Sequence, residues 1–305
     1  MVERLKDAIT KARAQRTAPP PPPPAAAAPV GNGAAAEAAT KPSPELRNAM
    51  MAAVGKGPTN TANQVKQNLA ADWQGLQELK LSPSKLDQQR IVSYKKSNPA
   101  HLAFDMLRTN LLNMMRSNGW TRLAITSPTK NCGKSMVVAN LALALGHQAD
   151  LRSIVLDMDM RSPALAKLFD VRERLSIAEL LRGRIEPHQL LRRVGTNLAF
   201  GLNTEAVVGA AEVIHNERTH QMISGMVNRY KPGIVVYDLP PMLVSDDVSA
   251  ILPHVDCVLM VAAAGRTTPK EINEAEQMIG SLTNFLGVML NKSREKTAQN
   301  YYYQS

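Results

Sequence analysis

A lysine and a hydroxyl side chain follow a turn-rich loop near the middle of the chain, in the order that a phosphate-binding loop requires. A short apolar run ends at Thr126, and Gly133, Lys134 and Ser135 open a helical pattern seven residues later. Such a loop surrounds phosphates with backbone N–H groups, while its lysine reaches the terminal phosphate and its hydroxyl binds Mg²⁺. The match is incomplete because Pro128 stands where the strict pattern has glycine.

Two β-branched runs further along end in aspartate. Residues 153–159 carry Asp157 and Asp159, and residues 233–238 end at Asp238. Buried parallel strands have this composition, and their carboxyl ends meet at one edge of a sheet. We therefore expect Mg²⁺ beside the loop, bound directly by Ser135 with Asp159 and Asp238 holding its water shell. Asp157 is the expected proton acceptor from an attacking hydroxyl; capping of a following helix is the alternative for any single aspartate.

The pattern of apolar residues from residue 91 onward alternates between strand and helix spacing. It predicts strands at 122–126, 153–157, 197–202, 234–238, 257–262 and 285–291. Predicted helices cover about 100–115, 134–146, 163–182, 210–229 and 269–281. This alternation indicates an α/β fold with a doubly wound, mostly parallel sheet, which would bring the loop and the aspartates together.

The remaining chain divides by composition into segments around this predicted domain, residues 91–292. Residues 1–16 have the spacing of a basic amphipathic helix, which could dock on an anionic lipid surface or on a partner; a frayed, solvated helix is the alternative. Residues 17–44, with six consecutive prolines, predict a semi-rigid linker. Residues 45–90 read as a partly helical lead-in, and residues 293–305 as a mobile tail.

Composition excludes several classes of protein. The 305-residue chain, 44% apolar, is long enough for one large domain, and two cysteines leave no disulfide framework or metal cluster. A net charge of +10 is compatible with nucleic acid or an acidic surface, but the aromatic content of 4% argues against nucleic acid. No secretory signal is recognisable and the longest apolar runs are too short for a bilayer. We expect a cytoplasmic protein without nucleic acid.

The final residues include Tyr301, Tyr302 and Tyr303, half of the six tyrosines in the chain. They follow a polar segment without apolar periodicity. A tyrosine ring is usually explained by packing in a core, and this segment predicts no core. The three tyrosines are therefore candidate phosphoacceptors, and an incidental terminus is the alternative.

Four segments together resemble the bacterial tyrosine kinases of the capsular and exopolysaccharide type (BY-kinases). Residues 154–163 with Lys167-Leu168-Phe169 resemble the second nucleotide motif of that family, and residues 236–241 resemble its Walker B motif with paired prolines. Residues 104–110 resemble the helix before its P-loop, and residues 287–292 resemble its last strand. The resemblance covers about residues 91–305.

The resemblance implies a deviant-Walker P-loop NTPase fold, related to the MinD and ParA ATPases, and an Mg-ATP-dependent autokinase that phosphorylates the tail of another subunit. It also implies regulation of polysaccharide polymerisation or export through a membrane chain-length determinant (Wzz-like) protein at the inner membrane. Asn291 is implied to lie near the adenine. The full set of predicted catalytic residues is Lys134, Asp157 and Asp159, and the predicted nucleotide contacts are Thr129, Lys130, Asn131, Cys132, Gly133, Lys134, Ser135, Met136, Arg161 and Asn291.

Departures from the family pattern suggest alternatives. Asn131 stands where a glycine often permits positive φ, which asparagine tolerates better than most residues. The oligomerisation motif falls on Leu102, Asp105 and Arg108, of which Arg108 alone matches, so ring assembly is not predicted. A ParA/MinD-type positioning ATPase is the first rival, but its signature lysine falls on Thr129. A non-catalytic nucleotide-binding scaffold for a membrane partner is the second.

Overall fold

A computed structural model of the chain describes the backbone of residues 59–293 and the side chains from residue 67 onward. These residues lie in one compact unit, Pro58–Ser305. The predicted basic helix 1–16, the linker 17–44, the first part of the lead-in and the tyrosine-bearing tail lie outside the described residues.

The centre of the fold is an eight-stranded sheet with the order β1-β4-β5-β3-β6-β2-β7-β8. All neighbouring strands are parallel except β4 and β5, which are antiparallel. The central strands are apolar throughout and buried on both faces, as parallel strands covered by helices require. The strands are β1 (Gln77–Glu78), β2 (Arg122–Thr126), β3 (Ser153–Asp157), β4 (Arg192–Val194), β5 (Leu198–Gly201), β6 (Ile234–Asp238), β7 (Cys257–Ala263) and β8 (Asn284–Asn291).

Eleven α-helices and one 3₁₀ turn, Leu252–His254, connect the strands within the described residues. The helices are α1 (Thr59–Gln74), α2 (Pro83–Gln88), α3 (His101–Asn118), α4 (Lys134–Gly146), α5 (Leu165–Leu168), α6 (Ile177–Leu181), α7 (Pro187–Leu190), α8 (Ala210–Ile214), α9 (Glu217–Tyr230), α10 (Asp247–Ile251) and α11 (Pro269–Gly280). The helix that follows the predicted loop, α4, is buried over most of its length because it packs against both the sheet and α3.

The predicted α/β fold is confirmed, with β2, β3 and β6 at the predicted residues. The single helix predicted at 210–229 is wrong. Asn216 interrupts it, because its side chain accepts a hydrogen bond from the N–H of Arg218 (2.9 Å) and caps a new helix, α9. The predicted helical region 163–182 consists of two short helices, α5 and α6, separated by a loop that contains Asp170 at φ 54°.

The lead-in is part of the sheet architecture rather than a preceding segment. It is partly helical, as predicted, but β1 pairs with β4 at the sheet edge. The indole ring of Trp73 in α1 packs edge-on against the ring of Tyr230 in α9, with ring centroids 6.1 Å apart. The predicted division at residue 90 is therefore not a structural boundary, because the lead-in supplies an edge strand and core side chains.

A buried asparagine attaches the end of the lead-in to α4. Asn140 Oδ1 accepts hydrogen bonds from the N–H groups of Val92 (2.8 Å) and Ser93 (3.1 Å) and from Ser93 Oγ (3.2 Å). Its Nδ2 donates to the carbonyl of Met136 (3.0 Å). We call these four residues the Asn140 cluster; it holds the chain that leaves α2 across the first turns of α4.

Candidate active site

Two residues of the loop between β2 and α4 have a left-handed backbone conformation. Gly133 adopts φ 89° and Asn131 adopts φ 64°, both in the left-handed region. The prediction that Asn131 takes a position with positive φ is confirmed. These two left-handed residues turn the chain sharply before α4 begins at Lys134.

The end of β8 holds this loop from the side. Asn291 Nδ2 donates to the carbonyl of Cys132 (3.0 Å), and Lys292 Nζ donates to the carbonyl of Asn131 (2.8 Å). A Cβ atom on Gly133 would lie 2.4 Å from Asn291 Nδ2, so glycine is required here. The structure thus places Asn291 against the loop backbone; its contact with adenine stays a prediction.

Lys134 lies among the carboxylates of two strand ends. Its Nζ is 2.7 Å from Asp159 Oδ2, 3.5 Å from Asp238 Oδ1 and 3.4 Å from Ser135 Oγ. Burial disfavours the charged ammonium, but the carboxylates of Asp238 and Asp159 outweigh it and raise the pKa of Lys134 to about 12. The lysine is therefore a fixed positive charge at neutral pH.

Asp157 and Asp238 face each other across neighbouring strands and are completely buried. Burial raises the pKa of Asp157 well above its usual range, and the charge of Asp238 adds to the effect. Burial likewise raises the pKa of Asp238, although Lys134 opposes it. Asp157 Oδ2 accepts the N–H of Leu165 (3.2 Å), the first residue of α5, whose N-cap position is occupied by Ala164. Asp159 lies two residues beyond the end of β3, not on the strand as predicted.

The donor set fits a hydrated Mg²⁺ ion. Within the described residues, only one carboxylate oxygen of Asp157 has a well-formed hydrogen bond, and Asp238 has none beyond its 3.5 Å ion pair with Lys134. Buried carboxylates are normally paired or bind metal. Residues 59–293 contain no group of three or more His, Cys, Asp or Glu side chains that could hold a metal by itself. That is consistent with an ion that keeps several waters and takes the rest of its ligands from phosphate oxygens.

A cavity of about 550 Å³ opens above the loop and has the size of a small-molecule site. Most predicted site residues line it, namely Lys130, Asn131, Cys132, Gly133, Lys134, Ser135, Met136, Asp159 and Arg161. The cavity lining does not include Thr129 and Asn291, nor the two fully buried carboxylates of Asp157 and Asp238. Asp157 therefore has no direct access to the cavity, whereas Asp159 does.

Sequence reasoning missed two residues at this site. Gln89 lines the cavity from the lead-in, where the irregular apolar spacing gave no signal. Asp247 accepts two hydrogen bonds from Arg161, at 2.6 Å from Nε and 2.9 Å from Nη2. The adjacent acidic pair Asp246 and Asp247, eight and nine residues after Asp238, was the available signal.

Arg108, the residue that matches the family's oligomerisation motif, is bonded within the chain. Its Nη1 donates to Asp105 Oδ1 (2.8 Å) and to the carbonyl of Ala144 (2.9 Å) in the last turn of α4. The guanidinium therefore joins α3 to α4. Tyr301, Tyr302 and Tyr303 lie outside the described residues.

No protein-family model matches the chain. Individual relatives do match it. The tyrosine-protein kinase Etk of Escherichia coli (strain K12) is 29% identical over 212 residues, which are 68% of this chain and 29% of that protein. The tyrosine-protein kinase CpsD of Streptococcus agalactiae is 27% identical over 198 residues, 64% of this chain and 84% of that protein.

The chain is similar in sequence to bacterial proteins that are named tyrosine-protein kinases. The predicted resemblance is confirmed, although the chain spans less than a third of the length of Etk. Among solved structures, the kinase domain of E. coli Etk aligns with a TM-score of 0.59 at 24% identity, over 72% of this chain and 98% of that domain. The chimeric protein CapA2B2 aligns with a TM-score of 0.62 at 21% identity, over 72% and 93%. These two likenesses show that the chain shares the fold of those domains.

None of the helices that the structure describes combines the length and hydropathy needed to cross a membrane.

Proposed function

We propose that the protein is an Mg-ATP-dependent protein-tyrosine autokinase that modifies the tyrosines of its own tail. The observation that carries the proposal is the position of Lys134, held by Asp159 and Asp238 at the base of a cavity that the phosphate-binding loop lines. Phosphoryl transfer needs positioning and charge neutralisation more than covalent chemistry, and this group supplies both. The names of Etk and CpsD support tyrosine as the acceptor.

The ammonium of Lys134 would leave its carboxylate partners for the terminal phosphate when ATP binds. Ser135 and Asp238, with Asp159, would hold Mg²⁺, which supplies positive charge at the phosphates. The buried carboxylates favour this replacement of the Lys134 ammonium by Mg²⁺. Negative charges close together in a site without water repel each other, and a bound cation offsets that repulsion. Lys134 and the loop N–H groups would then hold the phosphates in place.

Two carboxylates compete for the role of proton acceptor. Burial raises the pKa of Asp157, which makes its carboxylate a stronger base than an ordinary aspartate. Asp159 has a carboxylate that reaches the cavity, whereas Asp157 is closed off. We retain Asp157 as the proposed acceptor and expect Asp157→Asn to lower phosphotyrosine while ATP binding persists. If Asp159→Asn alone has this effect, the role belongs to Asp159.

The tail is the proposed acceptor because the described tyrosines are poorly placed. Tyr230 and Tyr237 are buried, with 0% and 2% of their surface exposed, and Tyr94 is half-buried. A tyrosine hydroxyl must leave its packing to enter the site of another molecule. We propose that Tyr301, Tyr302 and Tyr303 of one subunit enter the cavity of another subunit.

The cellular role follows from the same family of relatives. The EpsB protein of Ralstonia solanacearum, a putative tyrosine-protein kinase, is 28% identical over 213 residues. We propose that the chain regulates capsule or exopolysaccharide polymerisation and export from the cytoplasmic side of the inner membrane. A membrane chain-length determinant (Wzz-like) protein would be its partner, with residues 1–16 available for an anionic lipid surface.

The test is to incubate the purified full-length chain with Mg-ATP and locate phosphotyrosine by mass spectrometry. Replacing Tyr301, Tyr302 and Tyr303 by Phe should remove most of the modification and leave ATP affinity unchanged. Modification at Tyr94 with the tail untouched would contradict the tail proposal. ATP hydrolysis without any phosphotyrosine would favour a positioning ATPase, and binding without turnover would favour a scaffold.

A further inference from the structure

The guanidinium of Arg161 lies at the cavity surface, and one of its edges is hydrogen-bonded to a carboxylate. Its Nε and Nη2 atoms donate to the two carboxylate oxygens of Asp247, at 2.6 and 2.9 Å. Two parallel bonds of this kind fix the plane of a guanidinium as well as its position. Within residues 59–293, no hydrogen-bond acceptor contacts Nη1, and 53% of the side chain is exposed. The free edge is therefore available to a ligand.

Asp247 is built into the fold, whereas its neighbour Asp246 is not. The side chain of Asp247 is 1% exposed and that of Asp246 is 81% exposed. Asp246 lies 3.5 Å from Arg161 Nη2. The hydrogen bond from Arg161 lowers the pKa of Asp247, so this carboxylate stays charged at neutral pH. The two adjacent aspartates thus carry the same charge beside Arg161, but the buried Asp247 makes two hydrogen bonds to it and the exposed Asp246 makes one long ion pair.

The chain around Arg161 places it at the terminal-phosphate end of the cavity. Asp159 closes a turn, with its carbonyl accepting the N–H of Ser162 (3.1 Å) and its Oδ1 accepting the same N–H (3.2 Å). Arg161 lies inside that turn. The other oxygen of Asp159 contacts Lys134, the residue that marks the terminal phosphate. Arg161 and Lys134 are thus linked through Asp159.

We propose that Asp247 is a positioning residue that holds Arg161 so that its free Nη1 edge binds the terminal phosphate group of the bound nucleoside triphosphate. The inference rests on the proposed function for the identity of the ligand. Arginine suits this role because its planar fork can bond a carboxylate on one edge and a phosphate on another. A salt bridge with a purely structural role would not need the guanidinium at the cavity surface.

The test compares Asp247→Asn with Asp246→Asn, which remove the same charge from adjacent positions. Affinities for Mg-ATP and Mg-ADP are measured by calorimetry on the full-length chain, together with kcat and KM for autophosphorylation. Asp247→Asn should weaken Mg-ATP by about tenfold or more and leave Mg-ADP within about twofold, because one charge-assisted hydrogen bond is lost at the terminal phosphate. Asp246→Asn should leave both affinities within about twofold.

A structural role would weaken both nucleotides together and lower the unfolding temperature, which overturns the proposal. Equal effects of Asp246→Asn and Asp247→Asn would also overturn it. In an Arg161→Gln background, Asp247→Asn should cause no further loss, because the positioned group is already absent. If Asp247→Asn does not fold, Arg161→Lys keeps the positive charge without the fork and should lose the same preference for Mg-ATP; a normal preference in that variant contradicts the proposal.

The nucleotide preference separates this inference from the proposed kinase function. Binding of Mg-ATP and Mg-ADP is measured without reference to any acceptor. A wild-type chain that prefers Mg-ATP but forms no phosphotyrosine would refute the kinase proposal and leave the role of Asp247 open to the same comparison of variants.

Discussion

Two clusters of buried polar side chains lie along the first turns of α4. They differ in how many of their polar atoms have hydrogen-bond partners. In the Asn140 cluster, the side-chain oxygen and nitrogen of Asn140 both have protein partners. In the group formed by Lys134, Asp157, Asp159 and Asp238, which we call the acidic cluster, three carboxylate oxygens have no hydrogen-bond partner within the described residues. One cluster is complete without a ligand and the other is not.

The difference indicates different roles for buried polar groups. A satisfied group stabilises one arrangement of the chain, because any other arrangement leaves donors without acceptors. An unsatisfied carboxylate costs free energy that a bound cation can recover. Trp73 Nε1 and Tyr230 Oη also lack partners, but they are neutral and their cost is smaller. Arg193 Nε lacks a partner as well, but its guanidinium donates to the carbonyl of Gly195, whereas the candidate site concentrates several unpartnered carboxylate oxygens in one place.

The largest effect should follow from removing the positive charge of Lys134 from the acidic cluster. Lys134→Met leaves developing charge at the phosphates uncompensated, and single preorganised donors contribute about 3 to 4 kcal/mol to the barrier. Autophosphorylation should fall more than about a hundredfold. Radiolabelled phosphate transfer on the full-length chain measures this, with Lys270→Met, at an exposed position of α11 outside the cavity, as the charge-matched control. Activity within threefold of wild type would refute the site assignment.

The second-largest effect should be a loss of stability when the Asn140 cluster is disrupted. Asn140→Ala removes one acceptor for the buried N–H groups of Val92 and Ser93 and leaves them without a partner. Each unsatisfied donor costs about 1 to 3 kcal/mol, so the loss of an acceptor for these two N–H groups should lower the free energy of unfolding by about 2 to 6 kcal/mol. Urea unfolding measures this loss. Ser249→Ala, in the short helix α10, is a control that leaves the cluster intact. An unchanged unfolding midpoint would mean that the Asn140 cluster does not anchor the lead-in.

The same substitution tests whether the lead-in contributes to the site. Gln89 lines the cavity and is followed closely by Val92 and Ser93, which Asn140 holds. Loosening this segment should therefore weaken nucleotide binding by a few-fold, since one positioned contact is lost. Gln89→Ala should have the same effect and Gln88→Ala, at the exposed neighbouring position, should have none. Equal nucleotide affinities for all three variants would mean that Gln89 makes no contribution to nucleotide binding.

The sequence was informative where local composition alone determines the structure. β3 and β6 are continuous apolar runs because they are buried on both faces, and each ends at an aspartate at the site edge. The strand β4 was missed because it begins with Arg192 and Arg193, which read as a polar loop. Arg192 is buried nonetheless, since Glu173 accepts two hydrogen bonds from its guanidinium.

The site was predictable where it depends on short motifs and not where it depends on distant pairs. Gly133, Lys134 and Asp238 belong to motifs whose chemistry fixes their roles. The pairing of Arg161 with Asp247 joins residues 86 positions apart, and Gln89 reaches the cavity only because Asn140 binds the chain that follows it. Such contacts follow from the tertiary arrangement of the strands, which local periodicity does not encode.

The smallest effect should be the pH dependence of stability in the nucleotide-free protein. Burial raises the pKa of Asp157 and of Asp238, so the folded state binds protons that the unfolded state releases. For such groups the free energy of unfolding falls as pH rises from about 4 through the folded-state pKa. Lys134, with a pKa of about 12, contributes no slope between about pH 5 and pH 8, because it stays protonated in both states there.

Comparison with Asp238→Asn isolates this slope from that of the histidines. Burial lowers the pKa of His147, His220 and His254, which makes the folded state less stable at low pH and opposes the carboxylates. The variant retains these histidines and lacks one carboxylate. Its stability relative to wild type should therefore increase with pH, by at most about 1.4 kcal/mol per unit for one proton. Urea unfolding at intervals between about pH 5 and pH 8 measures the difference, and saturating Mg-ATP should abolish the variant's advantage because the carboxylate is then used. A difference that is constant with pH would mean that Asp238 does not change its protonation state between about pH 5 and pH 8, which contradicts the prediction.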